Sequence, residues 1–406
     1  MTNLLWPGDH RAGDLMSDQS LLAAMVAVES AWLHALVGAG LAPVDAVDLG
    51  ALVRPQDCDA LALGAEDGGN PVIGLVALLR ERAGTPAGRW IHRGLTSQDV
   101  LDTALMLAAR SVVETLADQL AEQVSTLSAL AATHRATAMV ARTLTQHAAP
   151  TTFGAKAAAW LNGVVDAYRQ LEALSFAAQI GGAAGTLAAT TELAALTGRD
   201  NPAGVAAEVA QSTAAALGLD YRLPWHTTRV PVTAIGDALV CCTDAWGHIA
   251  SDVVTLARPE IGELSEPAAG HRGGSSTMPH KRNPVLSILI RRTAIAAPPL
   301  AATLHSAAAL AHDERPDGAW HAEWDTLRML ARRTVVAGSQ CSELLAGLKI
   351  HTEKMAANLD SADVQGEQSA IANLVEKEPS PTYFGVADML IGQSVDRAQR
   401  IVKERR

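Results

Sequence analysis

The sequence predicts an all-α protein, on three observations. Its apolar residues, 49% of the chain, are mostly Ala, Leu and Val, with aromatics at only 3%; Ala and Leu are strong helix formers. Apolar positions recur at steps of three and four over stretches far longer than any strand. Proline, which breaks helix interiors, occurs only once between Leu101 and Asn201, at Pro150.

Residues 17–40 read as the first helix, with Leu21, Met25, Val28, Trp32, Ala35 and Leu36 on one face. Residues 41–70 read as looser chain, punctuated by Pro43, Pro55 and the pair Gly68-Gly69. A helix is expected from Pro71 to Ala83, then a turn and the segment Trp90–Asp99. Next comes a long helix with Leu105, Ala109, Val112, Leu116, Leu120, Val124, Leu127 and Ala131 along one face. A second long helix carries Ile235, Leu239, Cys242, Trp246, Ile249, Val253 and Leu256, whose alternating steps form a bundle seam. A third spans 285–310, where Pro298-Pro299 should kink or break it. A fourth covers Glu323 to Leu348, and residues 354–406 read as a small polar helical region interrupted by Pro379 and Pro381.

Long seams with few strand signals describe a helical bundle. A run such as Val230–Leu256 is roughly 40 Å long at about 1.5 Å per residue. Helices of that length need partners, which points to a symmetric oligomer. The organisation expected is an N-terminal helical domain at 1–102, a central bundle at 103–350 with a loop at 270–285, and a short C-terminal region at 351–406.

The 406-residue chain carries a formal net charge of −11. That argues against nucleic acid or an acidic membrane as partner but leaves room for a small anionic substrate at a locally positive site. Cys58, Cys241, Cys242 and Cys341 show no CxxC spacing and read as free thiols. MTNLLWPGDHR is not built like a signal peptide, and charges such as Arg291-Arg292, Asp237 and Asp244 interrupt the apolar stretches. A cytoplasmic protein with no membrane span is expected.

The most informative stretch is Gly273-Gly274-Ser275-Ser276-Thr277-Met278-Pro279-His280-Lys281-Arg282-Asn283-Pro284. Two glycines permit unusual backbone angles. Two serines, two cations and an asparagine then precede a helix, whose N-terminus suits an anion. Gly-Ser-Ser alone would be an ordinary surface turn; the whole string is more than that.

GSSTMPHKRNP resembles the signature of the fumarase/aspartase superfamily. The resemblance implies a three-region all-α fold with a long central bundle, assembled as a tetramer, each active site drawn from three subunits. It implies that Ser275 is the catalytic base on a mobile loop, with Ser276 beside it, and that Lys281 and Asn283 hold a substrate carboxylate. Removing a proton beside a carboxylate builds up negative charge that preplaced cations and N–H donors must meet. A serine can act as base only if loop amides and cations favour its charged form.

Three further stretches resemble the carboxymuconate cycloisomerase branch, over roughly residues 4–350. In His92-Arg93-Gly94-Leu95-Thr96-Ser97-Gln98-Asp99 the resemblance implies that Thr96 and Ser97 bind a carboxylate and that His92 lies at the site. An N-cap with Asp in the first turn reads the same residues equally well. In Arg142-Thr143-Leu144-Thr145-Gln146-His147-Ala148, lyases of the superfamily carry RTHxQPA, whose histidine is a general acid. Here Leu144 replaces it and His147 stands at the proline position, with Gln146 before it. A second lyase histidine has Asn70 as its counterpart. Both departures argue against an enzyme that must protonate a leaving amine. The third stretch is His312-Asp313-Glu314-Arg315 with Trp320-His321-Ala322-Glu323-Trp324; Arg315 suits bidentate carboxylate binding, while the tryptophans read as core. Pro224-Trp225-His226-Thr227 and Gly181–Thr186 match the branch as well, and His226 and Arg229 either line the site or sit at the surface.

The implied reaction is a cofactor-free and metal-free lactonisation of a tricarboxylate diene, as in aromatic-compound degradation. Ser275 delivers the proton and His147 assists, while Lys281, Asn283, Thr96, Ser97 and Arg315 position carboxylates. The alternatives are a C–N lyase of a substituted succinate, of adenylosuccinate or nitrosuccinate type, and an inactive member serving a structural role. The intact Ser275, Lys281 and Asn283 count against the latter. The C-terminal part is short for this branch, as if a helix or two were missing.

Overall fold

A computed structural model describes residues 3–45, 47–267, 270, 272–275, 277–278 and 280–404. The fold is all-α. In order it runs α1 (Asp18–Gly38), α2 (Asp57–Gly68), α3 (Val72–Ala83), α4 (Ser97–Thr133), β1 (Ala138–Thr143), β2 (Gln146–Thr152), α5 (Phe153–Glu172), β3 (Ala177–Ala178), α6 (Ala188–Leu196), α7 (Pro202–Ala216), β4 (Asp220–Tyr221), α8 (Val230–Leu256), β5 (Leu264–Ser265), α9 (Val285–Ala309), α10 (Gly318–Ala346), β6 (Lys349–Ile350), α11 (Thr352–Asp360), α12 (Gly366–Leu374) and α13 (Ala387–Glu404). The chain divides into two compact units, one of Met1–Glu114, Leu174–Asp237 and Pro299–Arg332, the other of Thr115–Ala173, Ala238–Pro298 and Arg333–Arg406.

In the first unit the apolar face of α1 joins α3 and the start of α4. Met25, Val28, Leu33, Leu75, Leu79, Ile91, Val100 and Leu105 form one buried cluster. Ser17 caps α1 by accepting the Ser20 N–H at 3.1 Å. The stretch expected to be loose contains α2. Asp57 and Asp59 sit in its first turn and Gly69 closes it at φ 70°, the two end signals that oppose its interior glycine.

In the second unit Gln123 of α4 ties three helices together. Its Oε1 accepts the Trp246 Nε1–H of α8 at 2.7 Å, and its Nε2 donates to the Gly338 carbonyl of α10 at 3.0 Å. A Cβ on Gly338 would lie 2.1 Å from Gln119 Oε1 and 2.9 Å from the Trp246 ring, so a side chain there would force both to shift. Toward the C-terminus α13 packs on α5, with Ile391 buried against Ala157 and Ala158.

Two further expectations are corrected. Pro298-Pro299 do not break α9, which is continuous from Val285 to Ala309. Both prolines are exposed, so the carbonyls they leave unpaired can face water. The second correction is a hairpin: β1 and β2 pair antiparallel, with Arg142 opposite His147 and Thr143 opposite Gln146. Its two-residue turn is Leu144-Thr145, at φ 48° and 74°. Both central residues thus adopt the left-handed angles that normally select Asn-Gly. In addition, α1 and α9 are each long and apolar enough to cross a membrane by length and composition, although the sequence reading expected no such stretch. Much of α1 is instead buried in the first unit.

Candidate active site

Within the second unit the glycine–serine loop closes on itself at its neck. Gly273 O accepts both the Asn283 backbone N–H at 2.8 Å and its Nδ2–H at 3.1 Å, and Gly274 bridges to Arg282. Gly273 has φ 76°, and a Cβ on it would meet Asn283 O at 2.5 Å, so no side chain fits the neck. Arg272 anchors the loop to Glu343 of α10. Ser275 Oγ accepts the N–H groups of Met278 at 3.1 Å and Thr277 at 3.3 Å. Two main-chain dipoles therefore point at the hydroxyl oxygen and favour negative charge on it. Lys281 and Arg282 are exposed, with no ion-pair partner among the described residues. Ser276 lies outside the described residues.

Two geometric findings alter the sequence reading of this loop. One Asn283 amide proton is spent on the neck instead of being free for substrate. The N-terminus of α9 is also already capped: Glu266 accepts the Leu286 N–H at 3.0 Å and the Ser287 N–H at 2.7 Å. An internal carboxylate thus occupies the position at which the sequence suggested an external anion.

The hairpin carries the other second-unit candidates. Gln146 and His147 are exposed at the start of β2, and Leu144 at the tip is 95% exposed. Arg142 does not face solvent freely; its guanidinium forks onto the fully buried Glu263 at 2.8 and 3.0 Å, which Asn358 also meets at 2.7 Å.

In the first unit, Thr96 and Arg315, 219 positions apart, touch: Arg315 Nη1 donates to Thr96 Oγ1 at 2.8 Å. Arg315 also lies over the Trp320 ring, 5.3 Å from its centroid. Ser97 opens α4 beside them, and His92 is joined at 2.6 Å to Glu29. Asn70 is buried and caps α3 locally, accepting the Val72 N–H at 3.1 Å.

Beneath Thr96 lies a buried polar network that sequence reasoning left unassembled. Asp99 accepts the N–H groups of Thr96, Gly181 and Gly182 at 3.0, 2.9 and 2.9 Å. His226 Nε2 is 3.2 Å from Asp99. A Cβ on Gly181 would meet the His226 ring at 2.7 Å. One turn along α4, Asp102 pairs with Arg229 at 2.7 and 3.0 Å and accepts the Trp320 Nε1–H at 2.9 Å. Arg229 also binds Glu323 at 2.5 Å. All three charged side chains are buried. Burial alone would lower the Arg229 guanidinium, but the Asp102 and Glu323 carboxylates hold it above its ordinary range. Burial pushes Glu323 up despite Arg229. His226 and Arg229 therefore belong to the scaffold under Thr96. Neither is a surface residue, and the stretches around Thr96, Gly181, His226 and Glu323 meet in this network.

The geometry stands beside clear relationships. Residues 68–297 match the lyase family. The chain belongs to that family, within the fumarase/aspartase superfamily. This lyase-family chain is 45% identical over 355 residues to a nitrosuccinate lyase of Streptomyces davaonensis, covering 85% of this chain and 74% of the relative. It is 39% identical over 354 residues to a 3-carboxy-cis,cis-muconate cycloisomerase of Bradyrhizobium diazoefficiens, covering 85% and 76%. The crystal structure of a 3-carboxy-cis,cis-muconate lactonizing enzyme from Pseudomonas putida superposes with a TM-score of 0.84 at 30% identity, over 96% of this chain and 97% of that one.

Proposed function

We propose that this lyase-family enzyme manages a proton on a carbon beside a carboxylate, in a reaction whose other partner needs no proton. The observation that carries this reading is the hairpin tip. Leu144 stands where superfamily lyases place an acid histidine, and it cannot protonate a departing amine.

The substrate we favour is 3-carboxy-cis,cis-muconate, closed to 4-carboxymuconolactone. A substrate carboxylate oxygen forms a bond to one alkene carbon. The π electrons move to the adjacent carbon, and that carbon takes a proton from Ser275 Oγ. The two amides on Ser275 Oγ would hold the resulting alkoxide. Thr96, Ser97, Arg315, His92, Lys281 and Asn283 would position carboxylates, and His147, with Gln146 beside it, would return the proton. No cofactor takes part in this scheme. The near-complete overlap with a solved lactonizing enzyme supports this choice.

The 45% identity to a nitrosuccinate lyase favours a second reading. There Ser275 would take the C3 proton of nitrosuccinate, the C2–N bond would break, and nitrite would leave with the electron pair. Nitrite is a weak base and departs without an acid, so Leu144 suits this chemistry equally.

A homotetramer would complete the site. The apolar α9 supports it, since only 33% of its most apolar 18-residue window is buried within one chain.

Purified enzyme incubated with each compound separates the readings: loss of diene absorbance marks lactonisation, release of nitrite with fumarate marks elimination. Turnover of neither refutes the proposal.

A further inference from the structure

Glu29 is fully buried on α1, yet the proposed chemistry gives it no part. Its Oε1 lies 2.6 Å from His92 Nδ1. Its Oε2 is buried, with no hydrogen-bond partner among the described residues. The imidazole is aimed at α1 by an uncommon backbone, since His92 has φ 62°, a costly angle for a residue with a Cβ. The flanking residues are clamped too. Arg80 donates to the Ile91 carbonyl at 2.9 and 3.3 Å. Trp32, one turn beyond Glu29, donates its Nε1–H to the Arg93 carbonyl at 2.7 Å. Three residues in a row are thus fixed, and the middle one is turned to present its ring to a buried carboxylate.

We infer that Glu29 is a positioning residue that holds His92 as an imidazolium, with Nδ1–H bound to Glu29 and Nε2–H left as a fixed cationic donor for a substrate carboxylate. A carboxylate out of water must be neutralised or paired. Among the described residues His92 is the acid–base group hydrogen-bonded to Glu29, while Arg80 adds a cation that acts on Glu29 through space. The 2.6 Å contact lies at the short end for charge-assisted bonds. With Nδ1 committed, the second ring nitrogen has a single role, and the His92 side chain is 16% exposed. This makes the segment that ends in Thr96 and Ser97 a row of donors for substrate carboxylates.

The binding half of this inference rests on the reading of His92 as facing substrate; the ion-pair half does not. In ligand-free protein, nitrogen and proton NMR should show His92 as imidazolium with a strongly deshielded Nδ1–H, assigned by its loss in His92→Gln. Glu29→Gln should convert the ring to the neutral form. Calorimetric affinity for succinate, an unreactive dicarboxylate, should fall about tenfold or more in Glu29→Gln and in His92→Gln, and the double variant should be no worse than His92→Gln alone. With the active substrate, KM should rise while kcat stays within about threefold. A purely structural Glu29 would lower the melting temperature on substitution and leave the imidazolium, KM and kcat unchanged, which overturns the inference. So does equal succinate affinity in wild type and Glu29→Gln, including no binding by either. If neither proposed substrate turns over, the functional reading fails on its own, and the NMR and succinate results still decide the role of Glu29.

Discussion

Replacing Arg229 with methionine should be among the most damaging single changes in the first unit. Met keeps length and apolar bulk but removes the one cation between Asp102 and Glu323. The wild-type guanidinium makes contacts of 2.5 to 3.1 Å to both carboxylates, and all of these groups are buried. Breaking a buried pair while leaving the partner charge behind costs about 3–5 kcal/mol, and here two carboxylates are stranded. Protonation relieves Glu323 first, since burial already raises its pKa, so the loss should stay near that range and not double. Equilibrium urea unfolding, followed by the fluorescence of Trp225 and Trp320 beside the cluster and by circular dichroism, gives the number. The triple variant Arg229→Met, Asp102→Asn, Glu323→Gln should recover a large part of it, because no buried charge is left unpaired. A cost below about 1 kcal/mol for Arg229→Met, or a triple variant no better than the single one, would refute the claim that charge balance organises this cluster.

Other outcomes follow from named contacts. Ser275→Ala should lower turnover by about 10²–10⁴-fold in steady-state assays with unchanged circular dichroism; wild-type rates would remove Ser275 from the chemistry. Thr96→Val takes the acceptor from Arg315, and KM should rise about tenfold with the melting temperature held. Glu266→Ala uncaps α9 and should cost about 0.5–2 kcal/mol in urea unfolding. The carboxyl of Asp57 is held at about 2 by hydrogen bonds from the Arg82 side chain and the Arg54 N–H. A folded pKa below the unfolded value of about 3.9 gives stability that is present above pH 4 and lost as pH falls toward 2. Acid unfolding of Asp57→Asn should therefore show a shallower pH dependence over that window.

The long seam-bearing helices and the chemical character of the loop could be read from residue order, because both depend on near neighbours. Seam spacing placed α8 and α10 to within a few residues, since burying one face of a helix needs only a local period, while the seam read for α4 begins only at Leu105 and the helix already starts at Ser97. GSSTMPHKRNP likewise concentrates serine, cation and turn residues in one string. The hairpin was not legible: no Asn or Gly marks its turn, and Leu144-Thr145 holds left-handed angles that local preference opposes. Nor could residue order show that Glu266 fills the α9 N-terminus, that Arg142 is spent on Glu263, or that Arg315 reaches Thr96 across 219 positions. Asp99, His226, Arg229 and Glu323 looked like separate motif residues. They became one buried network only when folding removed water from around them, because charges that solvent would satisfy singly must then satisfy one another.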